Sequence, residues 1–297
     1  MGEFVHLHLH SEYSLLDGVN RIKEIPKIVK SLGMDAVALT DHGNMFGAVD
    51  FYKACKKEGV KPIIGVEIYM AKRRMQDKEP GIDDTRYHLG LLAKNEIGYK
   101  NLIKLVSIAN TEGMYYKPRI DRETLKEHSE GLICLSGCLA GELARNIIED
   151  YEKGKEVAKW YRDVFGDDYY LEIQANGIEE QKIVNQKIVK LSKELNIPLV
   201  VTNDVHYTCK EDVKAQDILI CIQTGKKIDD EDRMKIDVDT LYIKSPEEIK
   251  KEFANFPEAL ENTVKIAEKC NFEFEFGNTK LPNFDTPNGE KHEEYLK

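Results

Sequence analysis

Short apolar runs that alternate with amphipathic stretches constrain the fold of this chain more than any other feature of its sequence. Between the runs, apolar residues recur at helical spacing, as at Ile25, Val29 and Leu32. A repeat of strand, helix and strand predicts parallel strands with right-handed crossovers, in an open sheet or in a closed barrel. Seven runs fill about two-thirds of the 297 residues: FVHLHLH (4–10), DAVALT (35–40), KPIIGVEIYM (61–70), YHLGLLAK (87–94), GLICLS (131–136), YYLEIQ (169–174) and IPLVVTND (197–204).

Ionisable side chains near the ends of these runs favour the barrel. The carboxyl ends of the strands of a parallel barrel share one face, whereas an open sheet gathers only the strand ends near its switch point. We therefore predict an α/β fold with a seven-stranded barrel. The residues toward or just after the run ends are His8, His10, Asp41, His42, Glu67, Asp204 and His206.

Beyond His206 the sequence pattern changes to helices, predicted over residues 211–224 and 246–270. We predict two units: a metal-binding barrel over residues 1–210, and a mainly helical extension over residues 211–297 that leads to a further domain. The segment AKRRMQDKEPGIDD (71–84) carries four positive and four negative charges, which is typical of a solvated surface loop.

The acidic composition argues against a protein that binds nucleic acid by itself. With 43 basic and 53 acidic side chains, the net charge is −10, which repels a polyanion unless metal ions or a basic patch reverse the local field. The sequence has no signal-peptide pattern and no apolar run of the roughly 18 residues that a membrane span needs. We therefore expect a cytoplasmic protein without a membrane partner, whose six scattered cysteines are mostly free thiols.

His8 and His10 are the clearest candidates for metal ligands. Side chains at positions i and i+2 of a strand point to the same face, so both imidazoles can bind one ion at the end of the first run. His6 has the same parity but lies deeper in the strand. A lone strand histidine is more often a hydrogen-bonded core residue than a ligand, so we assign His6 a structural role.

Two further runs place side chains that can bind metal on the face that the strand ends share. His42 ends the second run in the sequence TDHG (40–43), where the glycine lets the backbone turn sharply. Glu67 is a carboxylate within an apolar strand, where an unpaired charge costs several kcal/mol. A metal ion or a salt bridge would satisfy this carboxylate, and the residue by itself leaves both open.

The remaining candidates come from the later runs. Asp204 and His206 lie two residues apart at a strand end, and His88 opens the fourth run. Cys134 is most simply a small core residue, whereas Cys138 follows its strand and is equally consistent with a ligand or with a structural thiol. Together the candidates exceed the three or four ligands of one zinc ion, which predicts a polynuclear site. Such sites suit phosphate ester hydrolysis, because two ions can activate a water and neutralise developing charge.

Five stretches of the sequence together resemble a known family: HLHSEYSLLDG, ALTDHGNMFGAVDFYKACKKEGVKPIIGVEIYM, LSGCLAGE, TNDVHY, and FPEALENTVKIAEKCNFEF followed by LPNF. The family is the PHP (polymerase and histidinol phosphatase) domain, in the branch at the N-terminus of the bacterial DNA polymerase III alpha subunit. The resemblance covers essentially the whole chain, and the second and last of these stretches are specific to the polymerase branch.

The resemblance implies a distorted seven-stranded β/α barrel whose mouth holds two or three divalent ions, which are zinc, manganese or iron. It implies a 3′–5′ exonuclease that removes misincorporated nucleotides from a DNA 3′ end, with other replisome subunits as partners. In the family the polymerase domain lies beyond the stretch that this chain matches. By the family's pattern, His8, His10, Glu67 and Asp204 hold the first ion. Glu67 bridges to a second ion, which His88 and Cys138 also hold. Asp17, His42 and His206 hold the third.

Two other functions are weighed against the nuclease. The barrel can be a structural module that metal braces, supporting the polymerase and its partner subunits without turnover, because metal binding contributes folding free energy directly. It can also be a small-molecule phosphatase similar to histidinol phosphatase, although the polymerase-type tail argues against that.

Supporting residues and pH dependence follow from metal chemistry. His6 and Asp41 are candidates for orienting the ligands, because a ligating imidazole usually donates its other N–H to a partner. The sequence assigns no acid for the leaving group. Metal occupancy is expected to fall as the pH drops toward about 5, because histidine binds metal when neutral and cysteine when deprotonated.

Overall fold

A computed structural model describes residues 2–236, 238–278 and 284–297; the LPNF motif (281–284) lies outside these ranges except for its phenylalanine. The strands are β1 Ala36–Leu39, β2 Lys61–Ala71, β3 Arg86–Ala93, β4 Met114–Tyr115, β5 Lys117–Ile120, β6 Leu132–Leu135, β7 Tyr169–Gln174 and β8 Leu199–Thr202. The helices are α1 Ile25–Ser31, α2 Ala48–Glu58, α3 Glu96–Thr111, α4 Arg122–Glu127, α5 Glu142–Glu149, α6 Tyr151–Phe165, α7 Glu179–Leu195, α8 Val213–Thr224, α9 Pro246–Glu252, α10 Pro257–Lys269 and α11 His292–Tyr295. Among the described residues, no helix combines the length and hydrophobicity that a bilayer crossing requires.

The strands form one curled sheet that closes into a distorted barrel. The strand order is β4-β5-β2-β3-β6-β7-β8, and β1 pairs with the first part of β2. Residues 4–10 join the two remaining edges: the amide of Ala38 donates to the carbonyl of His6 (2.9 Å), and the amide of His10 donates to the carbonyl of Val205 (2.8 Å). Residues 4–10 with β1, β2, β3, β6, β7 and β8 make a ring of seven segments, so the predicted α/β barrel is confirmed.

The prediction that all strands run parallel is wrong for β3. This strand is antiparallel to β2 and to β6, with His88 opposite Tyr69 and Gly90 opposite Leu135. The described residues 72–85, which join β2 to β3, contain no crossover helix, so the chain reverses its direction there. The start of β3 therefore lies where the parallel strands end, and this brings His88 to that face.

The first run does not form a regular strand and pairs with its neighbours only through isolated β-bridges. A bend at His8 interrupts the alternation of its side chains between the two faces. Leu7 packs into the barrel interior, whereas Leu9 packs outward among helix residues. The parity predicted for the three histidines is wrong for His6, which precedes the bend. Its Nε2 lies 2.9 Å from the carbonyl oxygen of Lys244, in the segment before α9.

The C-terminal extension packs into one end of the barrel. The helix predicted over residues 246–270 is two helices, because Pro257 occupies the first turn of α10 and cannot continue α9. On α10, Ile266 and Cys270 share a buried cluster with interior residues that include Val5. The Val5 amide also donates to Oγ1 of Thr263 (3.1 Å). Helix α10 thus closes the barrel at the end away from the histidines, and the division at residue 210 stays a prediction.

The mixed-charge loop is anchored more firmly than a solvated loop. Arg119 on β5 is fully buried and donates to the carbonyls of Asp83, Met75 and Asp77, each at 3.0 Å. Met75 and the Asp83 side chain are themselves buried. One arginine therefore satisfies three backbone acceptors that the strand reversal would otherwise leave without partners.

The packing of α10 predicts a stability effect far from the histidines. We expect Ile266→Ala to lower the free energy of unfolding by about 2–5 kcal/mol, because it leaves a cavity next to fully buried neighbours. The measurement is urea unfolding monitored by circular dichroism. The matched control is Lys265→Ala, whose side chain is 56% exposed and whose removal should change stability by less than about 0.5 kcal/mol. Equal effects of the two substitutions would contradict the assignment of α10 to the core.

Candidate metal centre

Nine ionisable side chains converge at the barrel mouth, where the parallel segments end and the antiparallel strand β3 begins. Residues 4–10 place His8 and His10 at the mouth, and the turn that follows places Asp17 there. His42 follows β1 and forms a backbone bridge to Glu67 in β2. Cys138 follows β6, where Gly137 has φ 84° and an added Cβ would lie 2.6 Å from the carbonyl oxygen of His88. The nine are the residues named above: His8, His10, Asp17, His42, Glu67, His88, Cys138, Asp204 and His206.

One group surrounds Asp204, which follows β8 in the left-handed conformation (φ 49°). Its Oδ1 lies 3.2 Å from Nε2 of His8 and 3.3 Å from Nε2 of His10. The same His8 nitrogen lies 3.1 Å from Oε1 of Glu67. Two imidazole nitrogens and two carboxylates therefore face one point, and these are the four residues that the family resemblance assigns to the first ion.

A second group surrounds the other oxygen of Glu67. Oε2 lies 2.6 Å from Nδ1 of His42 and 3.0 Å from Nδ1 of His88. The Cys138 sulfur lies 3.8 Å from Nδ1 of His88 and 4.0 Å from Oε1 of Glu67. Glu67 thus lies between two groups of side chains that can bind metal, which is the position expected of a bridging carboxylate.

The third group contains Asp17. Its Oδ2 lies 3.1 Å from Nε2 of His42 and 3.5 Å from Nε2 of His206. The ring of His10 stacks 4.4 Å from that of His206 and lies 4.1 Å from that of His42. His42 therefore contacts both Asp17 and Glu67, and joins the second group to the third.

The donor set fits divalent cations. Five buried atoms at the centre lie close to one another but make no well-aligned hydrogen bond among the described residues: Nε2 of His8, Nε2 of His10, Nδ1 of His42, Oε2 of Glu67 and Oδ1 of Asp204. Such atoms are rare in folded proteins, and cations that bind between them would satisfy them together. Three sets of ligand atoms lie close enough to share an ion: His8, His10 and Asp204; His42, Glu67 and His88; and His10, His42 and His206.

Electrostatic coupling perturbs the pKa values of this cluster in opposite directions. Burial disfavours the His42 imidazolium, but the charges of Glu67 and Asp17 outweigh burial and raise its pKa to about 10. Asp17 and Asp204 likewise raise the pKa of His206 to about 9. Burial and the neighbouring histidines lower the pKa of His10 to about 3. Protons thus occupy part of the site in metal-free protein, in competition with cations.

The thiol and the central carboxyl are also shifted. Burial, together with the charges of Asp204 and Glu67, raises the pKa of Cys138, so the thiol needs a cation to ionise at neutral pH. Burial opposes ionisation of Glu67, but the surrounding imidazoles, led by His88, outweigh it and lower its pKa. The carboxylate is therefore ionised and ready to bridge.

Glu172 is a functional residue that sequence reasoning missed. This carboxylate in β7 is 1% exposed and accepts a hydrogen bond from Nδ1 of His8 (2.7 Å), so that Nε2 of His8 faces the cluster. It also accepts hydrogen bonds from the Gly137 amide (3.1 Å) and from the Thr202 hydroxyl. A carboxylate behind a ligating imidazole is a common metal-site arrangement. The sequence did contain a signal for this residue, because Glu172 is an acidic side chain inside the apolar run YYLEIQ.

The two supporting residues predicted from sequence have different places. Asp41 accepts hydrogen bonds from the hydroxyls of Ser14 (2.7 Å) and Ser11 (2.8 Å), and Ser14 is in turn 2.9 Å from Nδ1 of His10. Asp41 thus acts on His10 through one serine. His6 instead contacts Lys244, as described above, which fits its structural role and not the orientation of a ligand.

Comparison with known proteins agrees with this geometry. The family model described as PHP domain matches residues 6–176, which is more than half of the chain. The chain belongs to the PHP domain family. This matched range contains all the candidate ligands except the pair after β8.

Curated relatives are longer than this chain. It is 52% identical over 287 residues to DNA polymerase III subunit alpha of Borreliella burgdorferi, covering 96% of this chain and 25% of that protein. It is 50% identical over 296 residues to the same subunit of Campylobacter jejuni, covering 96% and 24%. The chain therefore spans about a quarter of the length of the relatives it matches. Among solved structures, a two-domain Bacteroides vulgatus protein containing a predicted PHP-like metal-dependent phosphoesterase has 14% identity and a TM-score of 0.41, over 88% of this chain and 62% of that one.

The contact between Glu172 and His8 predicts an effect on metal affinity. We expect Glu172→Gln to weaken metal binding by about 10–100-fold, because the neutral amide holds the imidazole less firmly and lowers its basicity. Competition with a chromogenic chelator measures the change. Glu180→Gln, on the exposed face of α7, removes the same charge and serves as the control. Equal affinities for both variants would show that Glu172 does not position His8.

The raised pKa values of two histidines predict proton release on metal binding. At a pH of about 7, His42 and His206 carry protons in metal-free protein, because their pKa values are about 10 and about 9. Ligating imidazoles are neutral, so metal uptake should release one proton from each of them. A pH-indicator dye in weak buffer, read during titration of chelator-treated protein, measures the release. Metal uptake without any release would contradict these protonation states, and release should decrease as the pH rises through 9 and 10.

Proposed function

We propose that this chain is a metal-dependent phosphodiesterase that removes nucleotides from DNA 3′ ends, as the N-terminal part of a DNA polymerase III alpha subunit. The observation that carries the proposal is the convergence of nine side chains that can bind metal at the barrel mouth, with the buried carboxylate of Glu67 among them. Two or more cations held a short distance apart suit the displacement of an oxygen from phosphorus. Zinc, manganese and iron all remain compatible with the mixture of imidazole, carboxylate and thiolate.

The chain's own residues hold and orient the reacting parts. When bound, the ions would activate a water and neutralise charge on the phosphate. His8 and His10 are fixed through their Nδ1 atoms by Glu172 and Ser14, which leaves each Nε2 free toward the centre. Asp17 and His88 have side chains that are 21% and 20% exposed, so they form the rim that a substrate reaches first. Among the residues that the structure describes, none is assigned as the acid for the leaving oxygen.

The wider setting follows from the relatives. Nearly the whole chain matches the alpha subunit of DNA polymerase III, so we propose a cytoplasmic replication protein whose polymerase domain and replisome contacts belong to the remaining part. The net charge of −10 is consistent with DNA affinity that comes chiefly from elsewhere in the protein. Residues 1–210 would form the catalytic unit, and residues 211–297 would lead toward the polymerase domain.

A second candidate is a structural module without turnover. Its support is the set of buried atoms at the centre that make no hydrogen bond within the described part of the chain, because cations there would stabilise the barrel whether or not a substrate is cleaved. This module would support the polymerase and its partner subunits. Chelation should then lower the melting temperature, and restored metal should recover stability without any hydrolysis.

A charge-removing substitution separates the two candidates. We expect Asp204→Asn to abolish the trimming of a 5′-labelled single-stranded oligonucleotide, by at least about 100-fold, because a ligand to the central ions is lost. Asparagine tolerates the left-handed backbone of this position, so the fold should persist. The measurement is product length on a denaturing gel after chelation and metal return, with metal content determined on the same sample.

The control for this test is Asp163→Asn, whose side chain is 70% exposed on α6. It should trim at the rate of the unsubstituted chain. The nuclease is supported if the unsubstituted chain regains trimming when metal is returned and Asp204→Asn does not. Two or three bound ions without trimming, together with a chelator-sensitive melting temperature, would establish the structural module instead.

A further inference from the structure

The hairpin of β4 and β5 carries an exposed aromatic ring on a strained backbone. Tyr115 pairs with Lys117, so Tyr116 alone forms the turn. Tyr116 has φ 59°, a conformation that favours glycine and costs a bulky residue about 1 kcal/mol or more. Its side chain is 72% exposed, although the ring lies 4.6 Å from that of Tyr115. Burial therefore does little to offset the strain, and folding gives no reason for an aromatic residue here.

This hairpin lies beside the metal centre through Tyr69. Strand β5 pairs with β2 at Tyr69, two residues beyond Glu67 on the same face of the strand. The buried ring of Tyr69 stacks against His42, with centroids 5.9 Å apart, and meets His88 edge-on at 5.2 Å. The Tyr69 ring thus contacts two histidines of the cluster, and its backbone pairs with the second strand of the hairpin.

Two cations flank the same ring. The guanidinium of Arg86 and the ammonium of Lys117 each lie 5.9 Å from the Tyr69 centroid. Arg86 precedes His88 by two residues on β3, and so faces the same side as that histidine. Within residues 2–236, 238–278 and 284–297, neither cation forms a salt bridge. In a chain of net charge −10, these are two positive charges at the edge of the site, and Arg86 also donates to the backbone carbonyl of Asp84 (3.3 Å).

We propose that this edge binds the single-stranded nucleic acid that leads to the phosphate at the metal centre. Tyr116 stacks on a base, and Lys117 and Arg86 bind phosphates of the backbone. An exposed aromatic ring next to cations is the combination with which proteins bind single strands without sequence preference. The choice of nucleic acid over a small phosphomonoester rests on the proposed function and on the ring, which a small phosphate group would not need.

Substitutions at Tyr116 test the proposal with little risk to the fold. Tyr116→Gly removes the ring and relieves the strained backbone, whereas Tyr116→Phe keeps the ring. The probe is a fluorescent oligothymidylate of about ten nucleotides with phosphorothioate linkages at its 3′ end, titrated with the manganese-loaded chain and read by anisotropy. We expect Tyr116→Gly to raise the Kd by about tenfold, within the range measured for one base stacked on an aromatic ring, and Tyr116→Phe to preserve it.

The charges are tested by Lys117→Ala, which should weaken binding and lower the dependence of Kd on salt. Its control is Lys190→Ala, which removes the same charge from a cation that lies over Tyr151 on the outer helices. An unsubstituted chain that does not bind the probe, or that binds it no more tightly than Tyr116→Gly, would overturn the inference.

A separate assay keeps this result distinct from the proposed activity. Hydrolysis of thymidine 5′-(4-nitrophenyl phosphate) by the unsubstituted chain reports on the metal centre with a substrate that has a single nucleoside. Oligonucleotide binding that depends on Tyr116, without ester hydrolysis, supports the binding edge and counts against the phosphodiesterase. Ester hydrolysis with no effect of Tyr116→Gly on binding supports the phosphodiesterase and refutes the binding edge.

Discussion

The burial of one carboxylate is the constraint on which the barrel mouth depends. Glu67 is 1% exposed in β2, and its oxygens lie within 3.1 Å of nitrogen atoms of His8, His42 and His88. An unpaired charge in that position would cost several kcal/mol, so positive charge must reach it from other segments, as imidazolium or as metal. A barrel meets this demand because segments distant in sequence end around the same point. The positions of His8, His42 and His88 are thus consistent with the need to surround Glu67.

The reversal of β3 shows how a departure from the regular β/α repeat serves the site. A parallel strand would present its last residues at the mouth, but β3 presents its first ones, so that Arg86 and His88 reach the face where β2 ends. The reversal also leaves a long loop with backbone acceptors, and the buried guanidinium of Arg119 satisfies three of them. The ligand geometry and the anchored loop are therefore two results of the same change of direction.

Much of this could be predicted from the sequence, because apolar periodicity indicates a strand and helix repeat, and ionisable residues near the run ends favour a barrel and indicate where its mouth lies. The eight candidates chosen for their positions near the runs lie together, as does Asp17, which only the family resemblance assigned, while ligation of metal by all nine stays a prediction. The bend at His8 and the contact of α10 with Val5 were not predictable, because both depend on packing between segments far apart in sequence. Glu172 was overlooked because a strand run was judged by its apolar residues, although its buried carboxylate supports His8 as directly as Ser14 supports His10.

The contacts between late and early parts of the chain also determine when the site can be completed during synthesis. The amide of Val5 and the ring of His6 have partners that lie 258 and 238 residues later in the sequence. At translation rates of about 5–20 residues per second, the segment with His8 and His10 waits roughly 10–50 s for those partners. Val5 and His6 therefore reach their final positions only after the segment that contains Lys244 and Thr263 has left the ribosome.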